Sequence, residues 1–182
     1  KYLRENIGIV NQDSFIFAKT IEDNLTILSD DKEHYSEYVD EVCLRDDIEK
    51  MPEKYKTIVG EKGVTLSGGQ RQRISIARTL MKNKKILFLD DSLSAVDNNV
   101  SRTIKSSLKN KNATTFIISH NLMNGMDADK ILVLEKGEIV EQGTHDELVE
   151  KINNLAKEHE TSFNNIVISI IEDFFDRNGN NQ

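Results

Sequence analysis

The chain has 182 residues, 37% of them hydrophobic and 30% charged, with a formal net charge of −7. Its apolar runs, such as 131–134 and 166–168, fall far short of the ~20 residues that a membrane-spanning helix needs. The acidic balance argues against nucleic acid as the main partner, because a phosphate backbone calls for a basic footprint.

Cys43, the only cysteine, excludes an internal disulfide framework and fits a reducing cytosol. The length suffices for one domain with a sizeable core, or for a core plus a small lobe. With no signal-peptide pattern and a start at Lys1 rather than Met, the chain reads as a fragment or an excised domain.

In chain order, the β-branched run 7–10 predicts a core strand ending at Asn11-Gln12. Thr20 with Asp23 reads as a helix start. Tyr35, Val39, Val42 and Cys43 share helical spacing, which makes Cys43 a small buried core residue rather than a nucleophile, and Pro52 marks a stop. Residues 20–82 are expected to form a mainly helical lobe, with a glycine-bounded loop at 57–63. The string 66–80 follows, reading as a loop that feeds straight into a helix. Ser67, Gly68 and Gly69 leave backbone N–H groups open to a ligand, and the helix aims the positive end of its dipole at the same spot. Ile74, Ala77, Leu80 and Met81 would anchor one helix face in a core. By itself, a Ser-Gly-Gly turn more often only punctuates structure.

The pattern then changes to strand-helix alternation. Residues 86–89 predict a buried parallel strand ending in Asp90-Asp91. Asp97 is an N-cap candidate for a helix striped by Val100, Ile104 and Leu108. Residues 114–118 predict a second buried strand, ending at Ser119-His120. Residues 131–135 and 138–141 predict a hairpin around Lys136-Gly137, and Thr144 with Glu147 a capping box. No internal repeat is visible; the fold class is α/β, with ligand groups at strand ends. Adjacent carboxylates at the end of an apolar strand are what phosphoryl-transfer ATPases use to hold Mg²⁺ and orient water. Taken alone, the Asp90-Asp91 pair serves equally well as a cap on the following turn.

The string Leu-Ser-Gly-Gly-Gln-Arg-Gln-Arg-Ile-Ser-Ile-Ala-Arg-Thr-Leu at 66–80 matches the signature motif of the ATP-binding cassette (ABC) family. The resemblance covers roughly residues 2–150. Gln12 resembles the Q-loop glutamine, 86–91 the Walker B strand, 94–97 the D-loop and His120 the switch histidine. The 57–63 loop, with the run at 15–25, is similar to the exporter branch. The resemblance implies an incomplete P-loop NTPase (RecA-like) core of mostly parallel strands plus an α-helical signature subdomain. It implies ATP and Mg²⁺ as ligands, with Leu66, Ser67, Gly68, Gly69, Gln70, Gln12 and Asp97 at the nucleotide and Gln12 and Asp90 at the metal. Asp91 and His120 would be catalytic. It also implies a second nucleotide-binding domain, in a homo- or heterodimer, and the coupling helices of a transmembrane domain as partners. The location would be the cytoplasmic face of the cell membrane, through a transmembrane domain absent from this chain.

Two departures qualify the match. No Gly-x-x-x-x-Gly-Lys-Ser/Thr loop occurs in the chain, and the family pattern would place it before Lys1. Without that phosphate cradle, the chain alone should bind ATP poorly and hydrolyse it hardly at all. The residue after the Walker B aspartate is Asp91, where active members carry Glu; the carboxylate is one methylene short, roughly 1 Å in reach. Within the family that change implies a degenerate site in one half of a heterodimer. The expected function is therefore the ATP-binding and hydrolysing part of an ABC exporter. The alternatives are a non-catalytic regulatory half-site and a soluble cassette ATPase of translation or DNA repair. Residues 1–150 would form the partial nucleotide-binding domain and 151–182 a C-terminal extension. In that extension Phe163, Ile166, Val167, Ile170, Ile171, Phe174 and Phe175 form an amphipathic stripe.

Overall fold

Three of the apolar runs pair side by side as parallel strands: β1 (Ile7–Val10), β2 (Ile86–Asp90) and β3 (Thr114–Ile118), in the order β1-β2-β3. The computed structural model describes residues 2–29, 33–60, 63–121 and 124–158. They fall into two units, Lys1–Asn121 and Leu122–Gln182. Register pairs Val10 with Leu89 and Asp90 with Ile118, so all three strands end along one edge. A short helix, α1 (Tyr2–Asn6), leads into β1.

Between β1 and β2 the chain builds the expected helical lobe. It contains α2 (Ile21–Thr26), α3 (Tyr35–Glu41), α4 (Arg45–Glu49), a 3-10 turn at Lys54–Lys56 and α5 (Gly68–Leu80). Thr20 caps α2 by accepting from the Asp23 N–H. The long α5 is the beam of the unit: α2, α3 and β1 all pack on it, and Ile74, Ile76, Ala77 and Leu80 are buried. Gly8 lets β1 lie close to that beam, since a Cβ there would stand 2.8 Å from Thr79 Cγ2. Arg78, 7% exposed, ties the lobe together. Its guanidinium donates to the Asn24 carbonyl at 2.8 Å, to Asn24 Oδ1 at 3.3 Å and to the Phe15 carbonyl at 3.2 Å. Burial pushes its pKa below the usual guanidinium value.

After β2, Asp97 caps α6 (Asn98–Lys109) by accepting from the Asn99 and Val100 N–H groups, and Ile104 and Leu108 are buried as the stripe expects. Glu41 of α3 reaches across to this segment, accepting from Ser107 Oγ at 2.8 Å and Lys111 Nζ at 2.6 Å.

The second unit holds the antiparallel hairpin β4 (Ile131–Glu135) and β5 (Glu138–Gly143), two residues longer than its sequence pattern suggests, then α7 (His145–Glu158). Thr144 and Glu147 form the capping box, each accepting from the other's backbone N–H.

Two expectations are corrected. β3 is not a buried strand: Phe116 is 44% and Ile118 52% exposed, and Phe88 and Phe116 stack on the same open sheet face. Helices of this unit cover the face carrying Val10, Leu87 and Leu89, and the residues of a short strand cannot by themselves say which face is covered. Cys43 is half-buried rather than core; it stands at φ 53°, beyond the end of α3, so the helical period does not reach it. The apolar stripe at 163–175 lies outside the described residues.

Candidate functional site

Parallel strands that end together bring their following residues together, and β1, β2 and β3 deliver Gln12, Asp90-Asp91 and His120 to one edge. Gln12 Nε2 donates to Asp91 Oδ2 at 3.5 Å, across 79 residues of sequence. Asp90 and His120 are solvent-exposed at the same edge. Asp91 adopts a left-handed backbone (φ 42°), held by its N–H donating to the Ile118 carbonyl at 2.9 Å. A non-glycine residue keeps that conformation only where its surroundings over-determine it, a pattern concentrated at functional sites.

The signature string begins where α5 begins. Ser67 is its N-cap, with a complete capping box: Ser67 Oγ accepts from the Gln70 N–H and Gln70 Oε1 accepts from the Ser67 N–H. Gly68 and Gly69 occupy the first helical positions, whose N–H groups have no intrahelical acceptor and whose dipole favours an anion. Gln70 is committed at both ends, because its Nε2 donates to Asp47 Oδ1 at 2.9 Å. The same carboxylate holds Arg73 through Oδ2, also at 2.9 Å. Leu66 sits in the core at 5% exposure, and its carbonyl accepts from Arg71 Nη1 at 2.7 Å, so it anchors the loop from below. Asp97 Oδ1 accepts both bonds of the α6 cap.

A cleft of about 400 Å³ separates the Gln12 loop from the start of α5, lined by Gln12, Ser14, Gly68, Arg71, Gln72 and Ser94. Gln72, which the sequence reading did not single out, crosses from α5 to the turn after β2. Its Oε1 accepts from the Ala95 N–H at 3.1 Å and its Nε2 donates to Ser94 Oγ at 3.4 Å. Nothing in the local pattern marks Gln72, whose partners lie 22 and 23 residues away. Asp47 is equally unmarked, its partners Gln70 and Arg73 lying far along the chain. The Ser67/Gln70 box, by contrast, is legible as Ser-x-x-Gln before a helix.

The donor set at the strand edge is all oxygen on the acceptor side: the Gln12 carboxamide and the carboxylates of Asp90 and Asp91. That suits a small hard divalent cation, which takes one or two carboxylates and completes its shell with water and phosphate. Among the described residues there is no cluster of three or more His, Cys, Asp or Glu that would build a dedicated metal cage. Nor is any helix among them long and apolar enough to cross a membrane.

Comparison with known proteins places these features in a family. The family profile described as ABC transporter matches residues 1–94. The chain is 42% identical over 91% of its length to the uncharacterized ABC transporter ATP-binding protein YknU of Bacillus subtilis, of which it spans 29%. It is 44% identical over 81% of its length to the putative multidrug export ATP-binding/permease protein YgaD of the same organism, spanning 26% of it. Among solved structures, a bacterial Atm1-family ABC exporter with ATP bound is similar at a TM-score of 0.77 and 39% identity; the match covers 82% of this chain and 27% of that one. The chain thus spans less than a third of the length of each of these proteins.

Proposed function

This chain belongs to the ABC transporter family, and from that premise we propose that it supplies part of an exporter's ATP-hydrolysing site and that its edge residues work on nucleotide shared with a second nucleotide-binding domain. The observation that carries the reading is the meeting of Gln12 and Asp91 at the carboxyl edge of the sheet, beside the exposed Asp90.

In this reading Asp91 orients the attacking water and takes its proton, and Gln12 holds the Asp91 carboxylate in place. His120, at the end of the neighbouring strand, would face the terminal phosphate. Gly68 and Gly69 turn their N–H groups to phosphate presented by the other nucleotide-binding domain, while Ser67 and Gln70 fix the helix start. Mg²⁺, when bound through Asp90 and Gln12, would neutralise charge on the transferring phosphoryl group. The lysine-bearing phosphate loop is absent from these 182 residues. Complete activity is therefore assigned to the longer assembly, with a transmembrane domain whose coupling helices meet the 57–63 loop at the cytoplasmic face of the membrane.

A second reading is favoured by Asp91 itself, which is one methylene shorter than the family's glutamate. In that case the chain's own site holds nucleotide without turnover and stabilises the dimer, while its signature loop serves the partner's active site.

The test is ATP hydrolysis by the full-length protein with its partner in lipid vesicles, with and without Asp91→Glu. With the partner's own site inactivated, a rise in turnover towards ~10²-fold identifies Asp91 as the weak base of a degenerate site. Unchanged turnover argues against degeneracy, and loss of turnover in Asp91→Asn would then assign the base to Asp91. Absence of nucleotide-dependent activity in every form would sink both readings.

A further inference from the structure

The turn after β2 is built from borrowed support. Asp91 is in the left-handed region, and its carbonyl accepts from both the Ser94 N–H at 3.2 Å and Ser94 Oγ at 2.8 Å. Ser94 Oγ in turn accepts from Gln72 Nε2, and the next residue, Ala95, donates its N–H to Gln72 Oε1. Gln72 is 7% exposed on α5, one turn beyond Gly69, where the helix backbone lies against the Ala95 carbonyl. One carboxamide therefore suspends the 91–95 turn from the helix that carries the signature loop. The chain of contacts runs from Gly69 and Gln72 through Ala95 and Ser94 to Asp91, and ends at Gln12.

The geometry points to Gln72 as a positioning residue for hydrolysis, one that sets where the Asp91 carboxylate stands relative to the start of α5. This rests on the function proposed above. Gln72 touches no reacting atom in that reading; it acts through Ser94 and Ala95. Glutamine suits the task because one planar group offers an acceptor to a backbone N–H and a donor to a hydroxyl. Leucine would fill the same space with neither. A displacement of about 1 Å at a reacting group can cost ~10²-fold in rate, so a loosened turn should be felt in turnover. Nucleotide affinity should change less, because Gln72 contributes no group to the phosphates.

The experiment measures ATP hydrolysis by the full-length transporter with Gln72→Leu, Gln72→Glu, Ser94→Ala and the Gln72→Leu/Ser94→Ala double variant. Gln72→Leu should lower kcat about tenfold or more with KM for ATP within about twofold. Gln72→Glu keeps an acceptor for the Ala95 N–H but loses the donor to Ser94 Oγ and buries a charge, so it should recover only part of the lost kcat. Ser94 is exposed, so Ser94→Ala keeps the test open if Gln72→Leu fails to fold. On its own it should lower kcat without raising KM, and in the double variant the two losses should be less than multiplicative. Unchanged kcat in Gln72→Leu, a rise in KM alone, or fully multiplicative losses would overturn the inference while leaving the proposed function standing. A wild-type transporter without ATPase activity would instead overturn that function and the inference with it.

Discussion

Gly69 lies against the carbonyl oxygen of Ala95, so closely that a Cβ built on Gly69 would stand 2.7 Å from that oxygen. The contact is backbone on backbone and has no flexible side chain to yield. Gly68, its neighbour, differs: its nearest foreign atom would be Ala95 Cβ at 3.4 Å, an ordinary contact.

The two glycines should therefore answer differently to the same change. Gly69→Ala is expected to destabilise the full-length protein by about 1–3 kcal/mol through overpacking. Gly68→Ala should be neutral or stabilising, since alanine is the better helix former by about 1 kcal/mol. Pulse proteolysis across a urea series reads both; equal losses at the two positions would refute the steric argument.

Asp47 should matter to the signature loop although it lies outside it. Its carboxylate serves Gln70 through one oxygen and Arg73, whose side chain is 12% exposed, through the other. Asp47→Ala leaves both donors short of an acceptor, with an expected loss of about 2 kcal/mol. Removing Gln70 as well should add little, and a double-mutant cycle checks this.

Arg78 should tolerate neither truncation nor lysine. Its fork serves three acceptors on two residues of the 15–24 segment, a geometry an ammonium cannot match. Arg78→Ala is expected to cost about 3–4 kcal/mol and Arg78→Lys about 2 kcal/mol. Urea midpoints are the measurement, and a lysine variant as stable as wild type would count against the assignment.

A pH signature should come from Asp40. Arg45 donates to both its oxygens, and this hydrogen bonding holds the Asp40 carboxyl below the usual carboxylate range. A lowered folded-state pKa means the pair's contribution is complete above the unfolded value and lost as pH falls through the folded one. The Tm difference between wild type and Asp40→Asn should thus be constant from pH 5 to 8 and shrink below about pH 4. The pair is half exposed, so added salt should diminish that difference.

The elements most legible in the sequence are those whose signals are local. Thr20, Asp97 and Thr144 cap helices where their spacing says they should. The strand run 7–10 and the strand at 86–90 stand where their β-branched and apolar residues lie. Local signals fail where the deciding partner is distant. Periodicity carried the α3 pattern on to Cys43, although the chain turns at φ 53° there and gives the Cys43 carbonyl to Arg73. The apolar run of β3 said nothing of its exposed face. Gln12, Asp91 and His120 are legible by motif order, whereas the roles of Gln72 and Asp47 emerge only once α5 lies beside the turn and α4.

The 79 residues between Gln12 and Asp91 also carry a consequence for the time course of folding. The contacts that bring Gln12 to the strand edge must wait for that loop to close, at an entropic cost that grows as ~1.5RT ln n. The helices between have short-range hydrogen bonds and can form early, whereas parallel pairing of distant strands is slow. Gln12 is then the last residue to join the candidate site. A spectroscopic pair placed at β1 and β2 would register the completion of folding, while a probe within α5 would register its start.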